Sequence, residues 1–441
     1  MPVSDTGPVT PARVVEAAAL VGTPFYLYDE AHIIERCRDV LAMPRAFHLH
    51  AGYAMKANST RALLQVVARA GLGIDASSLN EVRRARRAGI PAKRIMLTTQ
   101  EVPGDQDRRE LEQLIDAGMH YNACSLLQIE RLAGFARDRQ LRIAIRVNPG
   151  AGSGESATRN TGDKYSSFGI HRDDLAAATA RAQALGIVIT AVHVHIGSGG
   201  DPESWRANID RMLAITERFF PAAQLLNLGG GFREARMPDE RPADIQALGA
   251  YAKQRFLDFA ARTGRKLDMA VEPGTYIMAN AGYLVTTVSD RKSSGSDGFD
   301  FVLLDGGMES STRPLLYGSR HPFDVVSKAG QLLSSEHAIE TARAPVGPRV
   351  VVGKCCESGD CQTLDERGHI VPRPMGDPDV GDLVVIGGAG AYVSAMTLAG
   401  YNSHPRAPEV LLREDGSLEV IRRRQSLEQL MADEIGLEAI S

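Results

Sequence analysis

Eight short strand-like runs, separated by helical patterns, are the feature of this 441-residue chain that most limits its fold. The runs are FHLHAGYAMK (47–56), GLGIDASS (71–78), RIMLTT (94–99), HYNACS (120–125), LRIAIRVN (141–148), IVITAVHVHIG (187–197), AQLLNLGGG (223–231) and LDMAVEPG (267–274). Short buried β runs that alternate with helices are typical of a parallel α/β fold, and eight such units predict a closed (β/α)8 TIM barrel. A doubly wound open sheet is the alternative, and it explains the alternation but not eight polar strand ends.

Each run ends in groups that can bind a ligand or react. They are Lys56, Asp75, Ser77, Thr98, Asn122, Ser125, Arg146, Asn148, His195, Gly229 to Gly231, and Glu272. In a barrel the functional site lies at the C-terminal ends of the strands. The sequence therefore predicts a site at this face.

Lys56 and Glu272 end the first and eighth runs. A lysine at a strand mouth can be desolvated and made nucleophilic, as Schiff-base chemistry with an aldehyde cofactor needs. A carboxylate at the same mouth can keep a pyridine nitrogen protonated, which turns a cofactor ring into an electron sink. The alternatives are a lysine that snorkels at a strand end and a helix-capping or surface carboxylate.

Two glycine-containing motifs end the sixth and seventh runs. In LNLGGGF (226–232), three successive glycines let backbone N–H groups approach an anion, although a tight turn is the more common cause. HVHIGSG (193–199) carries two histidines on one side of a strand, and a metal site would need a third ligand that the spacing does not supply. A planar His195 ring that faces a cofactor fits better, with Ser198 available for phosphate.

The alternation stops after the polar, linker-like segment 289–300, and the apolar runs that follow predict a C-terminal β-rich domain. We expect the barrel over 38–282 and the β-rich domain over 1–37 and 283–441. Within the latter, 410–423 predicts a hairpin around Asp415-Gly416 and 426–435 a helical tail. The long loop at 149–171 interrupts the barrel at its mouth and predicts an active-site lid, with a flexible surface loop as the alternative.

Composition excludes several classes of partner. The net charge of −4 gives no electrostatic case for nucleic acid or a membrane surface. No apolar run is long enough to span a bilayer and the N-terminus lacks a signal pattern, so the cytoplasm is the expected location. Five cysteines, an odd number, suit a reducing compartment, and the spacing of Cys355, Cys356 and Cys361 matches no common zinc pattern, so no metal is expected.

The motifs YAMKAN, HVHIGSG, LNLGGGF and VEPG, with GKCCESGD (353–360) and GAGAYVSAM (388–396), resemble the fold-type III pyridoxal-phosphate decarboxylases. RPLLYG (313–318) and YNSHPRAPEVLL (401–412) look most like the diaminopimelate decarboxylase branch. The resemblance runs from 23 to 416. It implies a barrel followed by a β-rich domain, pyridoxal 5'-phosphate as cofactor, and a homodimer that converts meso-diaminopimelate to L-lysine.

The same resemblance implies roles for individual residues. Lys56, His195 and Cys356 would be catalytic: Lys56 would bond to the cofactor's aldehyde, His195 would stack on its ring, and Cys356 would lie near the reacting carbon. Glu272 would bind the pyridine nitrogen, while the phosphate would be held by Ser198, Gly229, Gly230, Gly231 and Tyr392. Substrate would be bound by Arg313 and Tyr317 at the distal carboxylate, by Glu357 at the distal amine, and by Tyr392. Cys356 and Glu357 would enter from the partner subunit. Either Cys356 or Lys56 would protonate the product.

One departure concerns the substrate. The family pattern at 272–275 is Glu-Pro-Gly-Arg, and this chain has Thr275, which removes a bidentate clamp for carboxylate or phosphate. Arg159 or Lys164 in the loop can substitute. Otherwise the substrate is ornithine, lysine or a specialised siderophore or antibiotic intermediate. A non-catalytic cofactor-binding relative and an alanine-racemase-like isomerase are further alternatives, and Cys356 and Glu357 count against both.

Overall fold

The structure is a computed structural model that describes residues 2–5, 9–137, 139–153, 161–197 and 201–437. The chain divides into two compact units. The barrel unit comprises Ile33–Glu234 and Arg241–Ile277, and the β-rich unit comprises Met1–His32, Ala235–Glu240 and Met278–Ser441. The chain therefore passes from one unit to the other at 32/33, 234/235, 240/241 and 277/278. The sequence placed boundaries at 37/38 and 282/283 and did not indicate that 235–240 belongs to the β-rich unit.

The described residues form strands and helices with the following bounds. The strands are β1 (Phe25–Asp29), β2 (Leu49–Ala54), β3 (Gly73–Ala76), β4 (Ile95–Thr98), β5 (His120–Ala123), β6 (Arg142–Asn148), β7 (Ile170–His171), β8 (Val188–His193), β9 (Leu225–Asn227), β10 (Asp268–Val271), β11 (Gly282–Ser293), β12 (Asp300–Leu304), β13 (Phe323–Val326), β14 (Leu332–Ser335), β15 (Val346–Val352), β16 (Arg373–Gly376), β17 (Leu383–Ile386), β18 (Glu409–Leu412) and β19 (Leu418–Arg422). The helices are α1 (Pro11–Val21), α2 (Glu30–Leu41), α3 (Arg61–Arg69), α4 (Leu79–Arg87), α5 (Asp105–Asp116), α6 (Leu126–Arg131), α7 (Ala133–Ala136), α8 (Leu175–Ala184), α9 (Pro202–Phe219), α10 (Ile245–Thr263), α11 (Thr275–Met278), α12 (Arg313–Tyr317) and α13 (Leu427–Leu430).

The barrel unit contains a closed sheet of eight parallel strands. The order β2-β3-β4-β5-β6-β8-β9-β10 closes when β10 pairs with β2, in the register Val271↔Ala51. Each strand lies within one of the eight predicted runs, so the predicted TIM barrel is confirmed. The short β7 pairs with the end of β6 outside this closed order.

Local chemistry starts the helices that follow the strands. The Ser78 hydroxyl accepts a hydrogen bond from the Glu81 N–H at 3.1 Å, and the Glu81 carboxylate accepts one from the Ser77 N–H at 2.7 Å. Ser125 caps α6 in the same way by accepting from the Gln128 N–H at 3.2 Å. These contacts satisfy N–H groups that have no partner inside a helix. Two of the polar strand-end residues, Ser77 and Ser125, therefore lie in helix-capping contacts.

The β-rich unit is built on a second sheet. Its strands follow the order β14-β13-β17-β11-β1-β18-β19, with β12 pairing to β11 and β15, and β16 to β15. Alternate residues of β1 serve different roles, since Phe25 and Leu27 enter the apolar core while the Tyr26 hydroxyl donates to the Ser310 carbonyl at 2.7 Å. The predicted β-rich domain is confirmed as a separate sheet.

Two expectations for this unit were wrong. The polar segment 289–300 is not a linker, because Ser293 pairs with Asp300 and the segment joins the antiparallel strands β11 and β12. Its side chains are exposed on the outer part of the sheet, which explains their polarity. The tail is helical only over α13, and Leu427 and Met431 are exposed, so its apolar residues have no core to pack against. Within the described ranges no helix is both long and apolar enough to cross a bilayer.

Candidate active site

A cavity of about 140 Å³ opens at the C-terminal ends of the barrel strands. Its lining brings together ionisable residues from six strands or the segments that follow them: Lys56, Asp75, Glu101, Arg146, His193, His195 and Glu272. Thr98 and Phe168 also line it. The strand ends thus place these side chains on one concave surface, as the sequence led us to expect for a barrel.

Lys56 lies in a single 3-10 turn, Met55–Ala57, that directly follows β2. Its two neighbours in the turn are buried, which fixes the backbone, but the lysine itself is exposed to the cavity. The expectation of a desolvated lysine at the end of the strand is therefore corrected: the amine lies one turn beyond the strand, at a cavity that is open to solvent. A primary amine in this position is accessible to a carbonyl compound.

Glu272 follows β10 and is held by two hydrogen bonds. His193 Nε2 lies 3.1 Å from Glu272 Oε2, and Asn227 Nδ2 donates to Glu272 Oε1 at 2.6 Å. Burial opposes ionisation, but these two contacts outweigh it and lower the pKa of the Glu272 carboxyl to about 2. Glu272 is therefore an ionised carboxylate in a largely buried position.

The two histidines of the sixth run are both neutral near pH 7. Burial lowers the pKa of His193, and it lowers the pKa of His195 well below the usual value, with Lys56 and Arg146 adding to the effect. A neutral His193 donates its Nε2 proton to Glu272, while His195 Nδ1 accepts a hydrogen bond from the Gly230 N–H at 3.3 Å. The His195 ring is thus oriented by the glycine loop that lies beside it.

Asp75, at the end of β3, behaves in the opposite way to Glu272. Burial, the nearby Glu272 carboxylate and Glu81 raise the pKa of Asp75 well above its usual value, although Lys56 acts against them. Among the residues that the structure describes, no hydrogen-bond donor meets Asp75 Oδ1. Within one cavity, burial therefore favours the neutral form of Asp75 while its hydrogen bonds favour the ionised form of Glu272, which is typical of sites with acid–base chemistry.

Arg146 and Phe168 form another part of the wall that sequence patterns left without a role. The Arg146 guanidinium lies 4.7 Å from the centre of the Phe168 ring, and burial lowers the pKa of this arginine. Arg146 was one of the polar strand ends, whereas Phe168 belongs to the loop 149–171 and no sequence pattern marked it. In the same loop, the Thr161 hydroxyl donates to the His195 carbonyl at 2.8 Å.

The glycine triplet is required by close backbone packing. A Cβ on Gly229 would lie 2.4 Å from the Val194 carbonyl oxygen, and one on Gly230 would lie 2.2 Å from that of Glu272. Gly229 and Gly231 also have φ angles of +69° and +95°. The Gly229 N–H is already taken by the Asn227 side chain at 2.9 Å. The motif thus fixes a turn against two strand ends, and any role in holding phosphate stays a prediction. Ser198 and Arg159 lie outside the described residues.

In the β-rich unit, Cys356 and Glu357 lie on an exposed turn. The Cys356 N–H donates to Asn402 Oδ1 at 2.8 Å, and the Tyr401 hydroxyl donates to Glu357 Oε2 at 3.3 Å. The Gly359 N–H donates to Glu357 Oε1, and this contact with others lowers the pKa of the Glu357 carboxyl. Both side chains are therefore presented at the surface of their own unit.

Buried acidic residues hold this turn in place. Asp360 accepts hydrogen bonds from the N–H groups of Met308 at 2.7 Å and Cys355 at 2.8 Å. The Cys355 thiol lies 3.5 Å from Glu309 Oε2, and burial with Glu309 nearby raises the pKa of that thiol to about 12. Cys355 is therefore an inert structural thiol, unlike its exposed neighbour Cys356.

The two residues expected at the distal carboxylate lie on α12. Arg313 is buried, and its guanidinium lies 5.6 Å from the centre of the Tyr317 ring. Tyr392, expected at the phosphate and the substrate, is half-buried with φ +59°, a conformation that non-glycine residues seldom adopt. These residues, with Cys356 and Glu357, all belong to the β-rich unit, whereas Lys56, His195, the glycine triplet and Glu272 belong to the barrel unit.

Thr275 begins α11 and is half-buried. Lys164, one of the two residues expected to compensate for it, is exposed, and its Nζ lies 5.0 Å from the centre of the Tyr165 ring. Lys164 is not among the described residues that line the cavity.

A barrel with an amine, an ionised carboxylate and neutral histidines at its mouth has the groups that a pyridoxal-phosphate enzyme needs. The family described as "Pyridoxal-dependent decarboxylase, pyridoxal binding domain" matches residues 30–279, and the chain belongs to this family. A diaminopimelate decarboxylase of Methanothermobacter thermautotrophicus is 34% identical over 432 residues, or 95% of this chain and 93% of that protein. The Escherichia coli K12 diaminopimelate decarboxylase is 31% identical, with 97% of each chain covered.

Solved structures give the same relationship. A crystal structure of diaminopimelate decarboxylase superposes with a TM-score of 0.87 at 30% identity and covers 97% of both chains. The Helicobacter pylori diaminopimelate decarboxylase in complex with L-lysine superposes with a TM-score of 0.80 at 27% identity, and covers 95% of this chain and 98% of that one. These relatives are decarboxylases, that is, carboxy-lyases, and the similarity extends over nearly the full length of the chains. The resemblance noted from the motifs is confirmed.

Proposed function

We propose that this protein uses pyridoxal 5'-phosphate to decarboxylate meso-diaminopimelate to L-lysine. The observation that carries the proposal is the joint placement of the Lys56 amine and the ionised Glu272 carboxylate on one cavity. Identity of 31% to 34% with diaminopimelate decarboxylases over nearly the whole chain supports the choice of substrate.

The residues around the cavity fit this cofactor. Lys56 supplies a primary amine for its aldehyde, Glu272 an anion for its protonated ring nitrogen, and the neutral His195 a flat surface for its ring. The glycine triplet and Ser198 are the candidates for its phosphate. When bound, the cofactor supplies an electron sink for the pair of electrons that the departing carboxylate leaves behind.

The chain's own residues supply binding and proton handling. The lowered pKa keeps Glu272 ionised over the physiological range, so it favours a proton on a basic nitrogen placed against it. His193 and Asn227 keep both Glu272 oxygens oriented. After carbon dioxide leaves, Lys56 Nζ or Cys356 Sγ delivers a proton to the carbon that carried the carboxylate.

We further propose that the protein is a homodimer with shared active sites. Cys356 and Glu357 are exposed on the turn that Asp360 holds, so they are available to a second copy of the chain. In that arrangement Glu357 binds the distal amine of the substrate and Arg313 with Tyr317 binds its distal carboxylate. The test mixes inactive Lys56→Ala with inactive Cys356→Ala protein. Hybrids that form but recover no activity would contradict shared sites.

A second candidate substrate rests on Thr275. If the family's arginine serves the distal carboxylate rather than the phosphate, diaminopimelate loses a charge-assisted partner here, which favours ornithine or lysine. The deciding assay measures carbon dioxide release from meso-diaminopimelate and from D- and L-lysine and D- and L-ornithine. We expect meso-diaminopimelate to have the highest kcat/KM. A clear preference for ornithine would replace the substrate and leave the decarboxylase proposal standing.

A further inference from the structure

We propose that Arg233, together with the indole N–H of Trp205, forms the clamp for the cofactor phosphate in this chain and replaces the arginine that is missing at Thr275. This inference rests on the proposed function, because it assumes that pyridoxal 5'-phosphate is the ligand. It concerns residues outside the cavity that holds Lys56, and it rests on the geometry around the glycine triplet.

The loop that carries the triplet continues directly into Phe232 and Arg233. A Cβ on Gly230 would lie 2.2 Å from the Glu272 carbonyl oxygen and 3.8 Å from the Pro273 nitrogen, so the loop packs on the segment that leads to Thr275. The Arg233 carbonyl accepts a hydrogen bond from the Ala243 N–H at 2.9 Å, which fixes the loop at its other end. Arg233 is thus held three residues from the contact between the two segments.

A second, small cavity of about 20 Å³ lies at this loop. Its lining includes Ser153, Asp201, Trp205, Gly230, Gly231 and Arg233. A cavity of this size accepts about one water-sized group, which suits a single oxygen of a bound anion. A guanidinium is well matched to such an oxygen because it presents several N–H donors in one plane.

Trp205 provides the independent observation that this cavity takes a ligand. Its side chain is only 6% exposed, its ring lies 5.5 Å from that of Phe232, and its Nε1 has no hydrogen-bond partner among the described residues. The indole N–H can only donate, and a buried donor without an acceptor is costly. An anion oxygen in the cavity would satisfy it.

Two further features bear on the charge of the site. The 18-residue helix α9 begins at Pro202, so its partially positive N-terminus faces the same cavity. Asp201 carries a negative charge on the lining, but it is exposed, and solvent screens its effect on an anion. Arg233 is the one cationic side chain among the described residues that line the cavity. Its removal should therefore weaken anion binding more than the loss of an ordinary surface arginine.

The test compares two ligands on the full-length protein after removal of bound cofactor. Pyridoxal 5'-phosphate and pyridoxal differ only in the phosphate, so the ratio of their dissociation constants isolates the phosphate contact. The variants are Arg233→Ala, the conservative Arg233→Lys, and Trp205→Phe, which keeps the ring and removes the N–H. Arg241→Ala is the matched control, since Arg241 is an exposed arginine further along the same segment.

We expect Arg233→Ala to weaken binding of pyridoxal 5'-phosphate by about ten- to a hundredfold and to leave pyridoxal binding within about twofold. Trp205→Phe should show a smaller loss in the same direction, and Arg241→Ala none. Adding Thr275→Arg to Arg233→Ala should restore much of the affinity. An equal loss for both ligands, or no loss for either, would overturn the inference. If Arg233→Ala does not fold, Arg233→Lys is judged by the same ratio.

A second readout needs neither cofactor nor activity. Trp205 is the only tryptophan of the chain, so its fluorescence reports directly on this cavity. Inorganic phosphate should change that fluorescence in the parent protein and not in Arg233→Ala, and a response that persists in the variant contradicts the clamp. A failed proposal of function looks different: the parent protein would then bind neither pyridoxal 5'-phosphate nor pyridoxal, and would release no carbon dioxide.

Discussion

The two units of this molecule treat their buried charges differently. In the barrel unit, Asp75 and Glu272 line one cavity, and their pKa values move in opposite directions. In the β-rich unit, the fully buried Glu409 is paired with Arg422 at 3.1 Å and accepts a hydrogen bond from Ser394 at 2.7 Å. Glu409 thus faces a cation and a hydroxyl donor away from any described cavity, whereas buried carboxyls whose pKa values move apart around one cavity indicate chemistry.

The candidate residues also differ between the units in how they are held. Those of the barrel unit follow rigid parallel strands, while Cys356 and Glu357 of the β-rich unit lie on an exposed turn. A pair of exposed residues gains its function only from something that approaches the turn. We therefore expect that a substitution in the barrel unit inactivates the site of its own chain. A substitution at Cys356 should instead be complemented by another copy of the chain.

The largest expected effect is that of Lys56→Ala, because no other described lysine lines the barrel cavity. Turnover should fall below detection, and the near-visible absorbance of the holoenzyme should be lost. In the parent protein, borohydride should remove that band and leave the label on the peptide that contains Lys56. The control is Lys253→Ala on the exposed side of α10. A label on another lysine would refute the assignment.

Glu272→Gln should lower kcat/KM by roughly 10²–10³-fold, because the amide keeps the shape of the carboxylate but not its charge. Asp75→Asn is the matched control in the same cavity. Since burial raises the pKa of Asp75 and so favours its neutral form, its amide should cost less than about tenfold. Equal losses in the two variants would mean that the two carboxyls do not differ in charge.

Sequence patterns predicted the barrel well for a physical reason. Its strands are short and mostly apolar and buried, and the runs that contain them end in polar residues or glycine, so composition marks both the strand and its end. The hairpin of β11 and β12 was missed because its exposed arms, rich in serine and charge, carry the composition of a linker. The tail helix was overestimated because spacing alone does not reveal whether a core is present.

The residues of the candidate site likewise fall into those that sequence patterns predicted and those that they did not. Lys56, His195 and Glu272 could be named because each ends a run, and the cavity brings them together. Ser125 also ends a run, yet it caps α6 and is not among the described residues that line the cavity, a difference that strand-end position does not reveal. The raised pKa of Asp75 depends on burial, and Phe168 reaches the cavity from a loop, so neither role could be predicted.

Gly230→Ala tests whether the barrel mouth tolerates any change of backbone packing. Its Cβ would lie 2.2 Å from the Glu272 carbonyl oxygen, so the strand end must move, and we expect a loss of about 2–4 kcal/mol in the free energy of unfolding. Gly134→Ala in α7 is the control, because a Cβ there meets nothing within 4 Å and should stabilise by up to about 1 kcal/mol. Urea denaturation measures both. Similar stabilities for the two variants would refute the packing requirement.

The smallest expected effect is the dependence of stability on pH. Burial lowers the folded-state pKa of His195 well below the unfolded value of about 6.5, so below that pH the unfolded chain binds a proton that the folded chain does not. Stability should therefore fall as the pH drops from 6.5, by up to about 1.4 kcal/mol per pH unit for this one group. Protonation of Asp75 acts in the opposite sense, but only below its own raised pKa.

Urea unfolding of cofactor-free protein at pH 7.5, 6.5 and 5.5 should show a shallower decline in stability for His195→Gln than for the parent. His369→Gln, an exposed histidine of the β-rich unit, should follow the parent curve. If His195→Gln and His369→Gln decline alike, the buried neutral histidine is not a feature of the barrel mouth.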